Sequence, residues 1–116
     1  VFRPSDGYWY VLNLENNQVT ATAFGQNGDV PIAADFDGDG NDDIAFGHSD
    51  TPNAFGVNVY HATKADGTVW KKEVLDAGGI ATEDLIVADL TGDGRPDIVA
   101  GGRATHNVKL YVNQGK

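Results

Sequence analysis

Residues 35–43 read DFDGDGNDD, a short segment made mostly of carboxylates and glycines. Five of the nine residues are aspartates, two are glycines, and no lysine or arginine lies among them. At neutral pH the carboxylates repel one another, so the segment is unfavourable unless a cation binds there. Oxygen donors at alternate positions suit calcium, a hard ion that takes about six to eight oxygen ligands.

The segment predicts one calcium site, which we call the first loop, with position 1 at Asp35. The expected carboxylate ligands are Asp35, Asp37, Asp39 and Asp43, at positions 1, 3, 5 and 9, and the backbone carbonyl of Asn41 is expected at position 7. Glycines at positions 4 and 6 provide the backbone angles of a sharp turn. Asp42 is expected to point away from the ion.

A second loop at residues 89–97 has the same pattern with fewer charges. The corresponding residues are Asp89, Thr91, Asp93, Arg95 and Asp97. Thr91 offers at best a neutral hydroxyl at position 3, and Arg95 at position 7 brings a positive charge nearby. We therefore expect two calcium sites, with tighter binding at the first loop.

Other metal sites fit the two loops less well. An EF-hand needs a glutamate at position 12 and a helix on each side, whereas position 12 is Phe46 in one loop and Ala100 in the other. Magnesium prefers a smaller octahedral shell that is rich in water. Zinc prefers cysteine and histidine ligands, and the chain has no cysteine. With no mobile helix in view, the ions are expected to act as structural staples.

The loops belong to an internal repeat with an offset of 54 residues. PIAADFDGDGNDDIAFG at 31–47 aligns with LIVADLTGDGRPDIVAG at 85–101, and nine of the 17 aligned positions are identical. A fixed period of this size is typical of solenoids, propellers and other arrays.

The repeating unit reads as β-structure, because its apolar segments are short, rich in valine, isoleucine and tyrosine, and bounded by turn residues. The predicted strands are 8–14, 18–24, 30–36, 43–47, 56–62, 68–75, 84–90, 97–102 and 107–113. The order of strand, acidic loop, strand and hairpin describes an antiparallel four-stranded β-propeller blade. The fold class is therefore all-β, with about two and a half blades and an incomplete propeller.

The predicted organisation is a single repeat module over residues 1–116. Residues 1–29 form the closing hairpin of one blade, 30–76 a complete blade with the first loop, and 84–116 a partial blade with the second. We expect a fragment or an engineered segment of a larger propeller. Unpaired edge strands favour pairing with another chain, so copies are expected to associate head-to-tail or to join the remaining blades of a parent.

The stretches ADFDGDGNDDIAFG and ADLTGDGRPDIVAGG resemble the calcium loops of the FG-GAP/VCBS repeat family, the integrin-α-like β-propellers. The resemblance covers nearly the whole chain. It implies blades in which the last acidic ligand comes at position 9 and the loop joins two strands. It also implies an extracellular or cell-surface location, where calcium is abundant, and a scaffold or adhesion-type role.

The bulk composition agrees with a partner that is a cation. The formal net charge of −9 argues against nucleic acid and against anionic membrane surfaces, and no apolar run is long enough for membrane insertion. The composition does not argue against a protein ligand or a glycan ligand.

Two further segments contain residue types that are found at functional sites. Gly47-His48-Ser49-Asp50 holds the residue types of a catalytic triad, but adjacent loop residues do not generally supply its geometry, so a polar loop and no enzymatic activity are expected. Tyr8-Trp9-Tyr10 could stack on a sugar ring, which makes a carbohydrate-binding, lectin-like module the alternative function. Blade packing is the more common use of such residues.

Overall fold

The computed structural model describes residues 2–3, 5, 8–12, 14, 16–23, 29–49 and 55–115. These residues form ten strands: β1 (Phe2–Arg3), β2 (Tyr8–Leu12), β3 (Val19–Ala23), β4 (Val30–Ala34), β5 (Asp43–His48), β6 (Gly56–Ala62), β7 (Trp70–Ala77), β8 (Thr82–Ala88), β9 (Asp97–Gly102) and β10 (Asn107–Tyr111). None of the described residues is helical, so that part of the chain holds no helix that could cross a membrane.

The strands build three antiparallel sheets. The N-terminal sheet has the order β1-β2-β3, the central sheet β4-β5-β6-β7, and the C-terminal sheet β8-β9-β10. Every pairing joins strands that follow one another in sequence, as tight turns allow. The all-β, antiparallel class expected from the sequence is therefore confirmed.

Strand β5 lies between the other two sheets, and all six of its residues are buried. Alternate side chains of a strand point to opposite faces, so one set meets each neighbouring sheet. On one face Ala45 joins a core with Leu85 and Ala100 of the C-terminal sheet. On the other face Phe46 meets the ring of Trp9 edge-on, with 5.9 Å between ring centroids.

Two hydrophobic clusters hold the sheets together. The larger lies between the central and C-terminal sheets, and its buried members are Phe36, Ala45, Val57, Val59, Ile80, Leu85, Ile98 and Ala100. The smaller consists of Ile44 and Phe46, with Trp9, Tyr60 and Trp70 packed against them. The acidic loops connect β4 to β5 and β8 to β9, so they lie at corresponding places in successive sheets.

Several strand boundaries differ from the expected ones. The strands at 56–62 and 97–102 agree, but β8 begins at Thr82 instead of residue 84, and β7 covers 70–77 instead of 68–75. The short β1 was not predicted; it gains strand geometry by pairing with β2. Strands β4 and β8 end earlier than predicted because the chain turns into the acidic loops there.

The predicted strand 43–47 extends one residue further, to His48, so the polar loop expected at 47–50 was wrong for His48. Gly47 and His48 belong to β5 and are buried, while Asp50 lies outside the described residues. His48 Nδ1 is 3.0 Å from Asp29 Oδ1, and His48 Nε2 is 2.7 Å from the Asn58 side-chain nitrogen. Both ring nitrogens of buried His48 therefore have hydrogen-bond partners. These partners come from residues that only the folded chain brings next to His48.

Candidate metal centre

In the first loop, Asp35 organises the turn through its carboxylate. Its oxygens accept hydrogen bonds from the backbone N–H groups of Gly38, Asp39 and Gly40 at 2.8–3.1 Å. Short bonds from the backbone to an aspartate at the start of a turn stabilise such loops. The loop thus has a defined conformation built from its own backbone.

Glycines at positions 4 and 6 have positive φ in both loops, as expected for a sharp turn. The values are +78° at Gly38 and +91° at Gly40, against +77° at Gly92 and +84° at Gly94. A Cβ at any of these four positions would meet no atom within 4 Å. Backbone conformation, and not lack of space, therefore accounts for glycine here.

Three carboxylates of the first loop converge. One oxygen each from Asp35, Asp37 and Asp39 lies within 4.8 Å of the other two. Asp35 and Asp37 are half-buried and Asp39 is exposed, which leaves the cluster accessible from solvent. Hard oxygen donors gathered in this way fit a calcium ion, which the sequence predicted for these residues.

Asn41 takes part in the loop through its N–H groups. Its backbone N–H donates to Asp39 Oδ1 at 2.8 Å, and its side-chain amide donates to Asp39 Oδ2 at 3.0 Å. Asp39 N–H donates in turn to Asp37 Oδ1 at 3.1 Å. These bonds orient the carboxylates at positions 3 and 5.

The second loop repeats the backbone geometry but not the convergence. Asp89 accepts hydrogen bonds from the N–H groups of Gly92, Asp93 and Gly94 at 2.7–3.2 Å, as Asp35 does in the first loop. Within the part of the chain that the structure describes, however, no three acidic or histidine side chains of this loop come within 4.8 Å of one another.

Arg95 partly neutralises the second loop. Its guanidinium lies 3.0 Å from Asp93 Oδ2, and its backbone N–H donates to Asp93 Oδ1 at 2.9 Å. These bonds from Arg95 hold the pKa of Asp93 below its ordinary value. Thr91 places its hydroxyl 3.5 Å from an oxygen of Asp97, at the limit of a hydrogen bond. This donor set fits calcium less well than that of the first loop.

Asp43 at position 9 of the first loop is fully buried and fastens the loop to the third strand of its sheet. Its Oδ2 accepts from the N–H of Phe36 at 3.0 Å, and its Oδ1 accepts from the N–H of Ala62 at 2.9 Å. The same oxygen Oδ2 lies 3.1 Å from His61 Nδ1. The sequence pattern identified Asp43 as a ligand candidate and missed this tether.

Asp97 has the corresponding role in the second loop. It is fully buried, and its carboxylate accepts from the N–H groups of Leu90 and Thr91, and from that of Asn113 after β10. The bond from Asn113, with those from the loop, holds the pKa of Asp97 below its ordinary value although burial opposes this. Both position-9 aspartates therefore tie loop to strand.

Asn113 also connects the two loops. Its side-chain amide donates to the carbonyl of Phe36 in the first loop at 2.6 Å and to that of Pro96 in the second at 3.3 Å. The two candidate sites are thus neighbours in the fold, although 54 residues separate them in sequence.

His61 is a site residue that the sequence analysis missed. It lies on β6, with Nδ1 3.7 Å from Asp37 Oδ2 and Nε2 2.7 Å from Glu73 Oε2. Together with Asp37 and Asp43 it forms a second group of converging donors. Burial lowers the pKa of His61, but hydrogen bonds to Glu73 and Asp43 outweigh burial and raise it. Only the return of β6 beside the loop brings this residue to the site.

Comparison with known families adds one match. The family model described as the FG-GAP-like repeat matches residues 35–100, a range that covers more than half of the chain and contains both loops. Searches of curated proteins and of solved structures returned no match.

Proposed function

Because the chain belongs to the FG-GAP-like repeat family, we propose that it is a calcium-binding β-propeller repeat module with a structural, interaction role. The observation that carries the proposal is the convergence of the Asp35, Asp37 and Asp39 carboxylates within 4.8 Å. Such a cluster of like charges is unfavourable without a cation and forms a suitable donor set with one.

Calcium would be held by the carboxylates of the first loop, with Asp43 and the carbonyl of Asn41 as further candidate ligands. The ion supplies positive charge that offsets the repulsion among the aspartates. The chain itself supplies the preorganised turn, through the backbone bonds to Asp35 and the tether at Asp43. An ion that binds only the folded chain stabilises it by mass action.

The second loop is proposed as the weaker site. Asp89, Asp93 and Asp97 remain its acidic candidates, and Thr91 and Arg95 take positions 3 and 7. The pairing of Arg95 with Asp93 supports the weaker assignment, because a bound cation would compete with the guanidinium for that carboxylate.

The three sheets are proposed as blades of an incomplete propeller. Their face-to-face packing, with β4 and β5 against β8 and Phe46 against Trp9, supports this arrangement. The proposed role is to present blade surfaces to other blades or to a protein partner, in an extracellular or cell-surface setting where calcium is abundant. The proposal includes no catalytic step.

The test is a thermal melt in excess EDTA and again in millimolar calcium. Calcium at about 100 times its dissociation constant adds about 2.7 kcal/mol to the free energy of unfolding, which shifts the melting temperature by several degrees. Asp39→Ala should lose most of this shift. Asp42→Ala is the matched control, because it removes the same charge from the same loop at an exposed position outside the ligand set.

An unchanged melting temperature in calcium would reject the proposal.

Isothermal titration of calcium into Asp39→Ala and into Asp93→Ala ranks the affinities of the two loops. The expected result is a larger loss of affinity in Asp39→Ala, and tighter residual binding in that variant than in Asp93→Ala would contradict the ranking.

A carbohydrate-binding role is the second candidate. Tyr8 and Tyr10 share one face of the N-terminal sheet with ring centroids 6.2 Å apart, and Tyr8 is exposed. Exposed aromatic rings can stack on sugars. Binding on a glycan array that Tyr8→Ala abolishes would favour this function, and no binding to any glycan would reject it.

A further inference from the structure

One face of the C-terminal sheet is exposed, whereas the equivalent face of the central sheet is buried. Strand β10 corresponds to β6, since Val108 pairs with Gly101 and Leu110 with Val99, as Val57 pairs with Gly47 and Val59 with Ala45. The internal repeat makes Gly101 the counterpart of Gly47, and Val99 that of Ala45. Each apolar position that meets a neighbouring sheet in one repeat therefore has an equivalent in the other.

The exposure of the equivalent side chains is opposite. In the central sheet and its loop, Phe36, Val57 and Val59 are 9%, 0% and 2% exposed. Their counterparts Leu90, Val108 and Leu110 are 54%, 73% and 50% exposed. With Ile86 and Val99, these three residues form an apolar surface, which we call the C-terminal outer face. Isolated exposed apolar residues are ordinary, but a contiguous patch marks an interaction site.

The equivalent glycines show what such a face meets when it is covered. A Cβ at Gly47 would lie 2.3 Å from Thr82 Cγ2, because the C-terminal sheet packs directly on it. A Cβ at Gly101 would meet no atom within 4 Å. The C-terminal outer face thus has the small residue that admits a neighbouring sheet, together with the apolar side chains that contact it.

The opposite end of the stack presents a second exposed face. Trp9 points from β2 toward the central sheet, so Tyr8 and Leu12 point away from it. Val19 pairs with Leu12 and lies on the same side. Leu12 is 53% and Val19 60% exposed, and we call this surface the N-terminal outer face.

We propose that the C-terminal outer face of one copy of this chain packs against the N-terminal outer face of a second copy. The inference deepens the proposed function, because it rests on the blade arrangement and names the partner surfaces. Within the chain, each sheet meets the next through one face of each kind, and a second copy continues that stacking order. The contact is heterologous, so it forms a closed ring or an open series.

The charges at the two faces also match. Arg3, on the N-terminal sheet, lies over the ring of Tyr10, with 4.7 Å between the guanidinium carbon and the ring centroid. Asp84 pairs with Gly101 on the C-terminal sheet and is exposed. Opposite charges at the edges of two apolar faces favour one relative orientation.

The first test is sedimentation velocity over a wide concentration range in saturating calcium. The expected result is a rise in mass from the 12.3 kDa monomer to multiples of it. Leu110→Glu on one face and Leu12→Glu on the other should each leave the protein monomeric at the highest concentration. Val69→Glu is the matched control, because Val69 is an exposed residue in the turn before β7, away from both faces.

Mixing the two variants provides the decisive test. If the contact is heterologous, the C-terminal outer face of Leu12→Glu and the N-terminal outer face of Leu110→Glu are both intact, so the mixture forms a heterodimer, whereas each variant alone stays monomeric. If two C-terminal outer faces meet, Leu12→Glu alone still dimerises, which overturns the inference. Far-UV circular dichroism of each variant checks that the sheets are retained.

A wild-type chain that stays monomeric at the highest concentration overturns the inference. This result needs no variant, so it holds even if a substitution disturbs folding. Calcium titration separates this outcome from the proposed function. If the chain is monomeric and binds calcium, the proposed function stands and the present inference fails. If the chain assembles without binding calcium, the present inference stands and the proposed function fails.

Discussion

Asp43 and Asp97 show how one residue of an acidic motif can have a role that its spacing does not reveal. Each is buried, and each accepts backbone hydrogen bonds from its own loop and from a residue at the end of β6 or just after β10. The spacing identified both as acidic members of a calcium loop. Their function as tethers depends on where β6 and β10 end.

We expect Asp43→Ala to destabilise the chain even in EDTA. The variant leaves the buried N–H groups of Phe36 and Ala62 without their acceptor, and each unsatisfied buried donor costs about 1–3 kcal/mol. Asp39→Ala, at an exposed position of the same loop, should change the EDTA value little. Urea unfolding in EDTA measures the free energy of unfolding of both variants. Equal losses of this free energy in the two variants would contradict the tether.

Asp76 is a charged contact between the central and C-terminal sheets. Its carboxylate accepts hydrogen bonds from Lys109 Nζ at 2.7 Å, the Tyr111 hydroxyl at 2.8 Å and the backbone N–H of Gly79 at 2.7 Å. Burial raises the pKa of Asp76, but these bonds outweigh burial and lower it below the ordinary value. Burial and the same carboxylate raise the pKa of Tyr111.

These shifts predict the pH dependence of Asp76→Asn. An aspartate with a lowered folded-state pKa contributes stability above its unfolded pKa, about 3.9, and loses it as pH falls through the lower folded value. The variant should therefore be about 1–3 kcal/mol less stable than the wild type at pH 6, with the gap closing below about pH 4.

Urea unfolding of both proteins from neutral to acidic pH measures the gap. Asp84→Asn, at an exposed position, is the control and should leave stability nearly unchanged at each pH. A gap that stays constant as the solution is acidified would show that the carboxylate charge of Asp76 does not carry the contact.

Among the elements, β5 explains most of the packing. Its alternate residues meet different sheets, so the strand is apolar or small at every position between its polar ends. A small residue at 47 is required by the close approach of Thr82 and Leu85, and Ala45 is buried in the same cluster as Leu85. The alanines and glycines of the sequence indicated that these strands pack closely against others. Only the position of the C-terminal sheet shows which face of β5 is closely packed.

Substitutions at the repeated glycine test this packing. Gly47→Ala places a Cβ 2.3 Å from a methyl group of fully buried Thr82, so it should cost about 1–3 kcal/mol of unfolding free energy. Gly101→Ala meets open space and should be neutral or slightly stabilising, by about 0.4–1 kcal/mol. Unfolding at low protein concentration measures both, and equal effects would contradict the assigned packing.

For the whole molecule, the dominant feature is a formal net charge of −9 on 116 residues. Like charges within about a Debye length repel one another, and this length falls from about 30 Å at 0.01 M salt to about 8 Å at 0.15 M. Two bound calcium ions would offset four of the nine formal charges and relieve the same repulsion locally.

Salt should therefore stabilise the calcium-free chain more than the calcium-loaded one. We expect the melting temperature in EDTA to rise as sodium chloride increases from about 0.01 to about 0.15 M, with a smaller rise in calcium. Choline chloride should act like sodium chloride, since screening does not depend on the identity of the cation. Equal rises with and without calcium would contradict an electrostatic role for the loops.

Local features of the sequence determined the all-β class, the repeat and the positions of both loops. Short apolar runs bounded by glycine and asparagine select strands, and alternating aspartates with glycines at positions 4 and 6 select the turn. These signals depend on residues close together in the chain, where backbone preference and charge repulsion act directly. The FG-GAP-like match to residues 35–100 agrees with them.

Contacts between distant segments were decided only by the tertiary structure. His61 reaches Asp43 because β6 returns beside the loop, and Asn113 joins Phe36 to Pro96 because two sheets pack together. The repeat makes Val57 and Val108 equivalent, yet one is buried and the other exposed. Burial is a property of what lies opposite a side chain, and the local sequence does not contain that information.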